Sequence, residues 1–310
     1  MKVSLVIPVF NEGENLSLLY DELKKNLSGT GGGYEIIFVD DGSSDNSAEI
    51  LKKMASTANV KVIRFTRNYG QTAALSAGFQ KAAGDVVVTM DADLQNNPAD
   101  IQRLIKILLD TGVDAVSGWR YRRKDPFLRI VVSGIANLII SRICGLKLHD
   151  YGCTLKAYRA ISVKDLKLYG EMHRYIPAFI HWNGGHVIEA KVSHRPRIYG
   201  KSSYGMGRIY RVILDLLTTV FLTTYSTKPI HVFGSLGLAS ITGGIIVSVY
   251  VIIRKMYLGG QYMSPLFFVA VFLAGLGLIM IFMGIIAEIS VRIYFAQKDN
   301  FPYRINENKE

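Results

Sequence analysis

The sequence predicts an α/β domain with a mostly parallel sheet, followed by two helices that cross a membrane. Up to about residue 118, short apolar runs alternate with stretches of helical periodicity, and acidic residues follow several of the runs. Near the C-terminus lie two uncharged apolar segments of 22 and 23 residues. Apolar residues form 49% of the chain, which excludes disordered and collagenous proteins.

Five apolar runs have the length and composition of buried strands: Val3–Pro8, Tyr34–Val39, Val60–Phe65, Asp85–Met90 and Asp114–Ser117. Between them, four stretches have helical spacing: residues 14–27, 45–57, 71–83 and 98–110. Continuous apolar strands that alternate with helices are typical of a parallel sheet covered on both faces. In such a Rossmann-like sheet, ligands bind beyond the carboxyl ends of the strands.

Two basic amphipathic stretches interrupt this pattern after residue 118. Phe127–Leu146 and Met206–Tyr225 carry apolar residues at helical spacing together with several arginines. We expect both helices to lie in the lipid interface, although packing on the sheet is the alternative. The N-terminal domain then comprises residues 1–204, including the interface helix 127–146, and residues 205–231 form a juxtamembrane helix.

The two uncharged segments, Val232–Ile253 and Pro265–Ala287, are each long enough to span the hydrocarbon core of a bilayer. They predict a transmembrane hairpin over 232–287, followed by a tail over 288–310. Ten Lys and Arg residues flank the hairpin, against two in its loop. Because positive charge stays cytoplasmic, we expect a multi-pass protein of the inner (plasma) membrane with the N-terminal domain and both termini cytosolic. The chain has only two cysteines, which agrees with a reducing compartment. Its net charge of +11 favours polyanionic partners.

Acidic residues follow three of the predicted strands. Glu12 follows the first, Asp40 and Asp41 follow the second, and Asp91 and Asp93 follow the fourth. Two neighbouring carboxylates repel each other unless a cation lies between them, and their hard oxygen atoms favour Mg²⁺ or Mn²⁺. The alternative is that Asp91 and Asp93 are ordinary loop caps.

Five segments carry recognisable motifs: Val6-Ile-Pro-Val-Phe-Asn-Glu12, Val39-Asp-Asp-Gly-Ser-Ser-Asp45, Asp91-Ala-Asp-Leu-Gln95, Asp150-Tyr-Gly-Cys-Thr-Leu-Lys-Ala-Tyr-Arg159 and Arg195-Pro-Arg-Ile-Tyr-Gly-Lys-Ser-Ser-Tyr204. Taken in order, they resemble family-2 glycosyltransferases of the GT-A fold and their polyprenyl-phosphate branch. That branch includes dolichol-phosphate mannose synthase and the undecaprenyl-phosphate glucosyl- and formamido-arabinose transferases. The resemblance implies a GT-A catalytic domain with amphipathic interface helices and a C-terminal hairpin.

The same resemblance implies the roles of individual residues. The nucleotide would contact Pro8, Val9, Phe10, Glu12, Asp40, Asp41 and Asp91. Mg²⁺ or Mn²⁺ would be held on the donor diphosphate by Asp91, Asp93 and Gln95. Phe10 departs from the family, where a tyrosine is frequent, so stacking would remain and a hydroxyl contact would be lost.

Catalytic roles are implied for Asp93, Asp150, Arg197 and Lys201, and contacts to the acceptor phosphate for Arg195, Arg197, Lys201 and Ser202. A lipid phosphate has a second pKa near about 6, so it is already a nucleophile at pH 7. We therefore expect Asp150 to orient groups rather than to abstract a proton.

We interpret the protein as a metal-dependent inverting glycosyltransferase of the cell envelope. It would move one sugar from a nucleotide sugar, UDP-linked in our expectation, to polyprenyl (undecaprenyl) phosphate at the cytosolic face of the lipid bilayer. Two alternatives stay open: a processive polysaccharide synthase, whose Gln-x-x-Arg-Trp segment is missing, and a non-catalytic nucleotide-sugar-binding protein. We expect no nucleic-acid partner. A homo-oligomer stays open.

Overall fold

The computed structural model describes residues 1–28, 32–121, 134, 137–138, 140–142, 144–164, 166, 168, 170, 172–196, 229–258 and 264–296. The chain divides into two compact units, Met1–Leu217 and Thr218–Glu310. Each unit is considered by itself.

The first unit is built on a seven-stranded sheet. Its strands are β1 (Val3–Val9), β2 (Tyr34–Asp40), β3 (Val60–Arg64), β4 (Val86–Thr89), β5 (Ala115–Arg120), β6 (Lys156–Arg159) and β7 (Val187–Val192). The spatial order is β3-β2-β1-β4-β6-β5-β7. Strand β6 pairs antiparallel with both β4 and β5, and the other pairings are parallel.

Helices cover both faces of this sheet. They are α1 (Gly13–Leu27), α2 (Ser47–Met54), α3 (Gln71–Lys81), α4 (Ala99–Thr111), α5 (Ala160–Lys164), a 3₁₀ turn (Met172–Tyr175) and α6 (Ile176–Trp182). The core on one face contains leucines of α1 and α4, and the core on the other contains Leu75 and Phe79 of α3. The predicted α/β architecture is therefore confirmed.

The five predicted strands and four predicted helices are all present, with ends that differ by a few residues. The prediction that the alternation stops after residue 118 is wrong, because β6 and β7 follow. Lys156 opens β6, and Glu189 and Lys191 interrupt the apolar run of β7. These charges hide both strands from a search for apolar runs.

The predicted interface helices lie largely outside the described residues. Within 127–146, residues 134, 137–138, 140–142 and 144 are helical. Of the juxtamembrane segment 205–231, only residues 229–231 are described, and they begin the first long helix of the second unit.

The second unit contains two long apolar helices, α7 (Pro229–Leu258) and α8 (Pro265–Ala296). Both extend beyond the predicted spans, and by length and composition both could cross a membrane. Large apolar side chains such as Leu238 and Phe272 are 63% and 67% exposed, unlike those of a core helix in a soluble protein.

The two helices pack through glycines. A Cβ atom added at Gly237 would lie 2.7 Å from the carbonyl oxygen of Gly277, and one added at Gly277 would lie 2.5 Å from that of Gly237. The Ser240 hydroxyl donates a hydrogen bond to the Leu273 carbonyl at 2.7 Å. Small residues that allow close backbone approach are typical of helix pairs in membranes.

Gly277→Leu should therefore separate the two helices, since overpacking a tight contact costs about 1–3 kcal/mol. Gly275→Leu is the matched control, because nothing lies within 4 Å of a Cβ added at Gly275. The measurement is the rate of disulfide formation between cysteines introduced at Ser240 and Leu273. Equal rates in the two variants would contradict the glycine contact.

A buried carboxylate ties together the amino ends of three strands in the first unit. Glu35 in β2 accepts hydrogen bonds from the Ser4 hydroxyl at 2.6 Å and the Ala83 amide at 2.7 Å, and Lys61 lies 2.8 Å away. Burial alone would raise the pKa of Glu35, but these contacts outweigh it and lower the pKa to about 2.

A carboxylate whose pKa is lower in the folded than in the unfolded chain stabilises the fold at any pH above its pKa in the unfolded chain. This stabilisation is lost as the pH falls towards its pKa in the folded chain. Glu35→Gln should lower the free energy of unfolding at pH 7 by about 2 kcal/mol, and the difference should vanish between pH 4.5 and about 2. Denaturant unfolding can be followed by tryptophan fluorescence, because Trp119 and Trp182 both lie in this unit. Exposed Glu49→Gln is the control, and a pH-independent difference would contradict the assignment.

Candidate functional site

The sheet topology brings the predicted site segments to one edge. Strands β1 to β5 and β7 run in one direction, so their carboxyl ends lie at this edge, and antiparallel β6 begins there. The segments that follow β1, β2 and β4 therefore meet the segment 150–155 that precedes β6. Residues 193–195, which follow β7, reach the same edge.

Hydrogen bonds join the loop after β1 to the loop after β2. The amide of Asn11 donates to Ser43 Oγ at 3.0 Å, and the amide of Glu12 donates to Ser47 Oγ at 3.1 Å. Asn11 Oδ1 accepts the Ser44 amide at 2.8 Å, which fits its left-handed backbone (φ 55°). These contacts fix the backbone at Asn11 and Glu12, and the neighbouring Phe10 is 45% exposed.

Asp40 and Asp41 are both buried, and each has its own partners. Asp40 accepts the Ser43 amide at 2.9 Å and lies 3.3 Å from the guanidinium of Arg64. Asp41 accepts the amides of Tyr69 and Gly70 at 2.7 and 2.9 Å, while burial raises its pKa. Asp41 thus holds the end of the loop after β3, where Tyr69 is 53% exposed.

The segment Asp91–Gln95, which we call the acidic turn, changes direction sharply after β4. Leu94 has a left-handed backbone (φ 59°), and Asp93 Oδ1 accepts the Gln95 amide at 3.2 Å. Asp91 accepts a hydrogen bond from the Gln71 side chain at 2.7 Å. Burial and the negative charge of Asp93 raise the pKa of Asp91 to about 7.

This donor set fits a divalent cation. A cation between two neighbouring carboxylates reduces the electrostatic repulsion between them. Carboxylate oxygens are also ligands that Mg²⁺ and Mn²⁺ prefer. The described residues contain no cluster of three or more His, Cys, Asp or Glu side chains that could hold a metal. A cation here would therefore need further oxygen ligands from Gln95, a substrate or water.

Asp150 is 2% exposed and forms a bidentate ion pair with Arg120, at 2.7 Å from Nε and 2.8 Å from Nη2. Glu189 accepts the backbone amide of Asp150 at 3.1 Å and that of His149 at 2.7 Å. The positive charge of Arg120 partly offsets the rise in the pKa of Asp91. The ion pair therefore interacts electrostatically with the acidic turn. The sequence did not indicate Arg120 or Glu189 as partners of Asp150, because neither lies near it in the chain.

Asp91 lines a pocket together with Gln71, Tyr151, Lys156 and His173. The ammonium of Lys156 is buried and donates to the carbonyls of Tyr151 and Arg174 at 3.2 and 3.4 Å. Burial lowers the pKa of Lys156 to about 8. Lys156 thus links the segment before β6 to the 3₁₀ turn.

Of the predicted acceptor-phosphate residues, only Arg195 is among the described residues; Arg197, Lys201 and Ser202 lie outside them. The guanidinium of Arg195 donates to both carboxylate oxygens of Glu22 at 2.9 Å and to Asn97 Oδ1 at 3.0 Å. The predicted residues Pro8 to Glu12, Asp40, Asp41, Asp91 to Gln95, Asp150 and Arg195 therefore all lie at the carboxyl edge of the sheet.

Comparison with known proteins matches residues 4–167 to the sequence model of glycosyl transferase family 2. The dodecaprenyl-phosphate galacturonate synthase of Rhizobium johnstonii is 40% identical over 304 residues, covering 95% of this chain and 89% of that protein. The undecaprenyl-phosphate 4-deoxy-4-formamido-L-arabinose transferase of Salmonella paratyphi B is 37% identical over 297 residues, covering 94% and 89%.

Among solved structures, glucosyl-3-phosphoglycerate synthase from Mycobacterium tuberculosis has the same fold. Its complex with Mn²⁺, UDP and phosphoglyceric acid superposes with a TM-score of 0.55 at 18% identity, covering 71% of this chain and 77% of that one. A second complex, with Mn²⁺, UDP and glucosyl-3-phosphoglycerate, gives a TM-score of 0.54 at 16% identity, covering 71% and 78%.

Proposed function

Because the chain belongs to glycosyl transferase family 2, we propose that it transfers one sugar from a nucleotide-diphosphate sugar to polyprenyl phosphate. The resemblance and the GT-A fold predicted from the sequence are confirmed. The observation that carries the proposal is that both relatives, named for polyprenyl-phosphate glycosyl transfer, match at least 94% of the chain. This match does not favour a processive synthase or a non-catalytic binder.

The donor nucleotide would lie against the joined loops after β1 and β2. We assign it to Pro8, Val9, Phe10, Glu12, Asp40, Asp41 and Asp91. The exposed ring of Phe10 would stack on the base, while Asp40 and Asp41 shape the pocket through their own hydrogen bonds. A fold neighbour that was crystallised in two complexes with UDP and Mn²⁺ supports a UDP-linked donor.

Asp91, Asp93 and Gln95 would hold Mg²⁺ or Mn²⁺, which supplies positive charge to the leaving diphosphate. The mutual repulsion of the two carboxylates supports this assignment. Gln71 holds Asp91 in place through its hydrogen bond.

Polyprenyl phosphate is already anionic at pH 7, so no strong base is needed. An oxygen of its phosphate would attack the anomeric carbon while the bond to the diphosphate breaks, which inverts the configuration. Asp150 is paired with Arg120 and is therefore suited to orient that guanidinium rather than to accept a proton. We assign the acceptor phosphate to Arg197, Lys201 and Ser202.

Two apolar helices agree with a membrane protein. We propose that it is a multi-pass protein of the inner (plasma) membrane with a cytosolic catalytic domain, residues 1–204, and cytosolic termini. Residues 205–231 would form the juxtamembrane helix, 232–287 the hairpin and 288–310 the tail. The excess of Lys and Arg on both flanks of the hairpin supports this orientation.

Asp93→Asn should lower sugar transfer at least about a hundredfold, because an amide cannot supply the negative charge that a divalent cation needs. The same variant should lose Mn²⁺ binding, measured by electron paramagnetic resonance in the presence of UDP. Asp110→Asn, which removes an exposed carboxylate of α4, should match wild type in both measurements. Normal turnover of Asp93→Asn, or of chelator-treated protein, would overturn the metal assignment.

Truncation before Val232 should spare UDP binding but lower transfer to long-chain polyprenyl phosphate in liposomes. The hairpin would keep the site at the bilayer and so raise the effective acceptor concentration, an effect of roughly a hundredfold. A water-soluble short-chain prenyl phosphate is the control, because both proteins should use it equally. Equal activity of the two proteins on the long-chain acceptor would rule out the anchoring role.

A further inference from the structure

The chain that leaves β7 is attached to the acidic turn after β4. Asn96 and His194 form an isolated antiparallel bridge, and the Arg195 amide donates to the Gln95 carbonyl at 2.8 Å. Two residues before Arg195, the Ser193 amide donates to Asp100 in α4 at 2.8 Å. The backbone of residues 193–195 therefore runs directly beside Gln95, one of the proposed metal ligands.

The side chain of Arg195 adds a second attachment. Its guanidinium binds both oxygens of Glu22 in α1 and the side-chain oxygen of Asn97, which also accepts the Ala99 amide at the start of α4. Helix α1, the start of α4 and the segment after β7 thus meet at one planar group. Only a guanidinium offers such a fork, because a lysine ammonium is a single point charge.

The exposure of the ion pair between Arg195 and Glu22 indicates that it orients the chain rather than stabilising the fold. Arg195 and Glu22 are each 37% exposed, and exposed ion pairs contribute little to the stability of a fold. The pair does, however, fix the direction in which the chain leaves the sheet. Arg197, which we assign to the acceptor phosphate, follows two residues later in the sequence.

We propose that Arg195 is a positioning residue: through Glu22 and Asn97 it holds the chain after β7 beside the acidic turn, and it does not bind the acceptor phosphate. This inference rests on the proposed function and replaces the phosphate contact that the sequence resemblance implied for Arg195. The guanidinium is engaged by a carboxylate and an amide oxygen, so a phosphate would have to displace them.

The test compares Glu22→Gln, Arg195→Lys and the charge exchange Glu22→Arg with Arg195→Glu, all in the full-length protein in liposomes. Asp21→Asn is the matched control, since it removes an exposed carboxylate from the neighbouring position of α1. Steady-state transfer is measured against polyprenyl phosphate, with the UDP-sugar that the wild-type protein uses. Calorimetric binding of UDP with Mn²⁺ and the unfolding midpoint are measured in parallel.

We expect Glu22→Gln and Arg195→Lys each to raise the KM for polyprenyl phosphate roughly three- to tenfold. UDP binding and the unfolding midpoint should stay at wild-type values, as should every property of Asp21→Asn. The charge exchange should recover part of the loss, because it restores the ion pair but not the bond to Asn97.

Three results would overturn the proposal. Wild-type kinetics in both single variants would show that the contact has no positioning role. A loss in Arg195→Lys without one in Glu22→Gln, and without recovery in the charge exchange, would indicate a direct phosphate contact. An equal fall in UDP binding or in the unfolding midpoint would indicate a merely structural role. Absence of transfer by wild type would instead refute the proposed function itself.

Discussion

Negative charge crowded at one edge of a sheet is the constraint on which the rest of this structure depends. Asp40 lies beside Arg64, Asp150 is paired with Arg120, and Asp41 accepts two backbone amides. Burial and the negative charge of Asp93 raise the pKa of Asp91, although the charge of Arg120 acts in the opposite direction. Under the proposed function, a divalent cation held by Asp91 and Asp93 would offset their repulsion and would bind the anionic diphosphate of the donor.

The strand directions determine which residues can take part. One antiparallel strand, β6, reverses the chain so that Asp150 and Lys156 reach the edge where β4 delivers Asp91. Parallel pairing of β5 with β7 then brings Glu189 close enough to accept the amide of Asp150. Residues from distant parts of the chain therefore converge through the direction and order of the strands.

Strands that are buried on both faces could be predicted from the sequence, because such burial requires a continuous run of apolar residues. Val3–Val9 and Tyr34–Asp40 are buried almost throughout, and their carboxyl ends could be located from that pattern. Strands β6 and β7 escaped prediction because Lys156 and Glu189 use their charges in specific contacts, and hydropathy alone does not reveal such pairing. The acidic residues of the site could be predicted because each lies within a few residues of the end of an apolar strand.

Partners across the fold could not be predicted in this way. Glu22 and Arg195 are 173 residues apart, and no periodicity or spacing connects them. The same holds for Arg120 with Asp150 and for Gln71 with Asp91, which depend on the order of the strands. Long-range polar contacts therefore require the structure, whereas the buried strands and their acidic ends do not.

The most direct test of the central claim is the stoichiometry and stereochemistry of a single reaction. Purified protein in liposomes is given Mn²⁺, polyprenyl phosphate and a panel of UDP-sugars, and UDP and the sugar-lipid are quantified. Nuclear magnetic resonance then gives the anomeric configuration of the product. We predict one UDP released for each lipid carrying one sugar, with inverted configuration and no turnover without the acceptor. Retained configuration, lipids that carry several sugars, or binding without turnover across the panel would contradict the account.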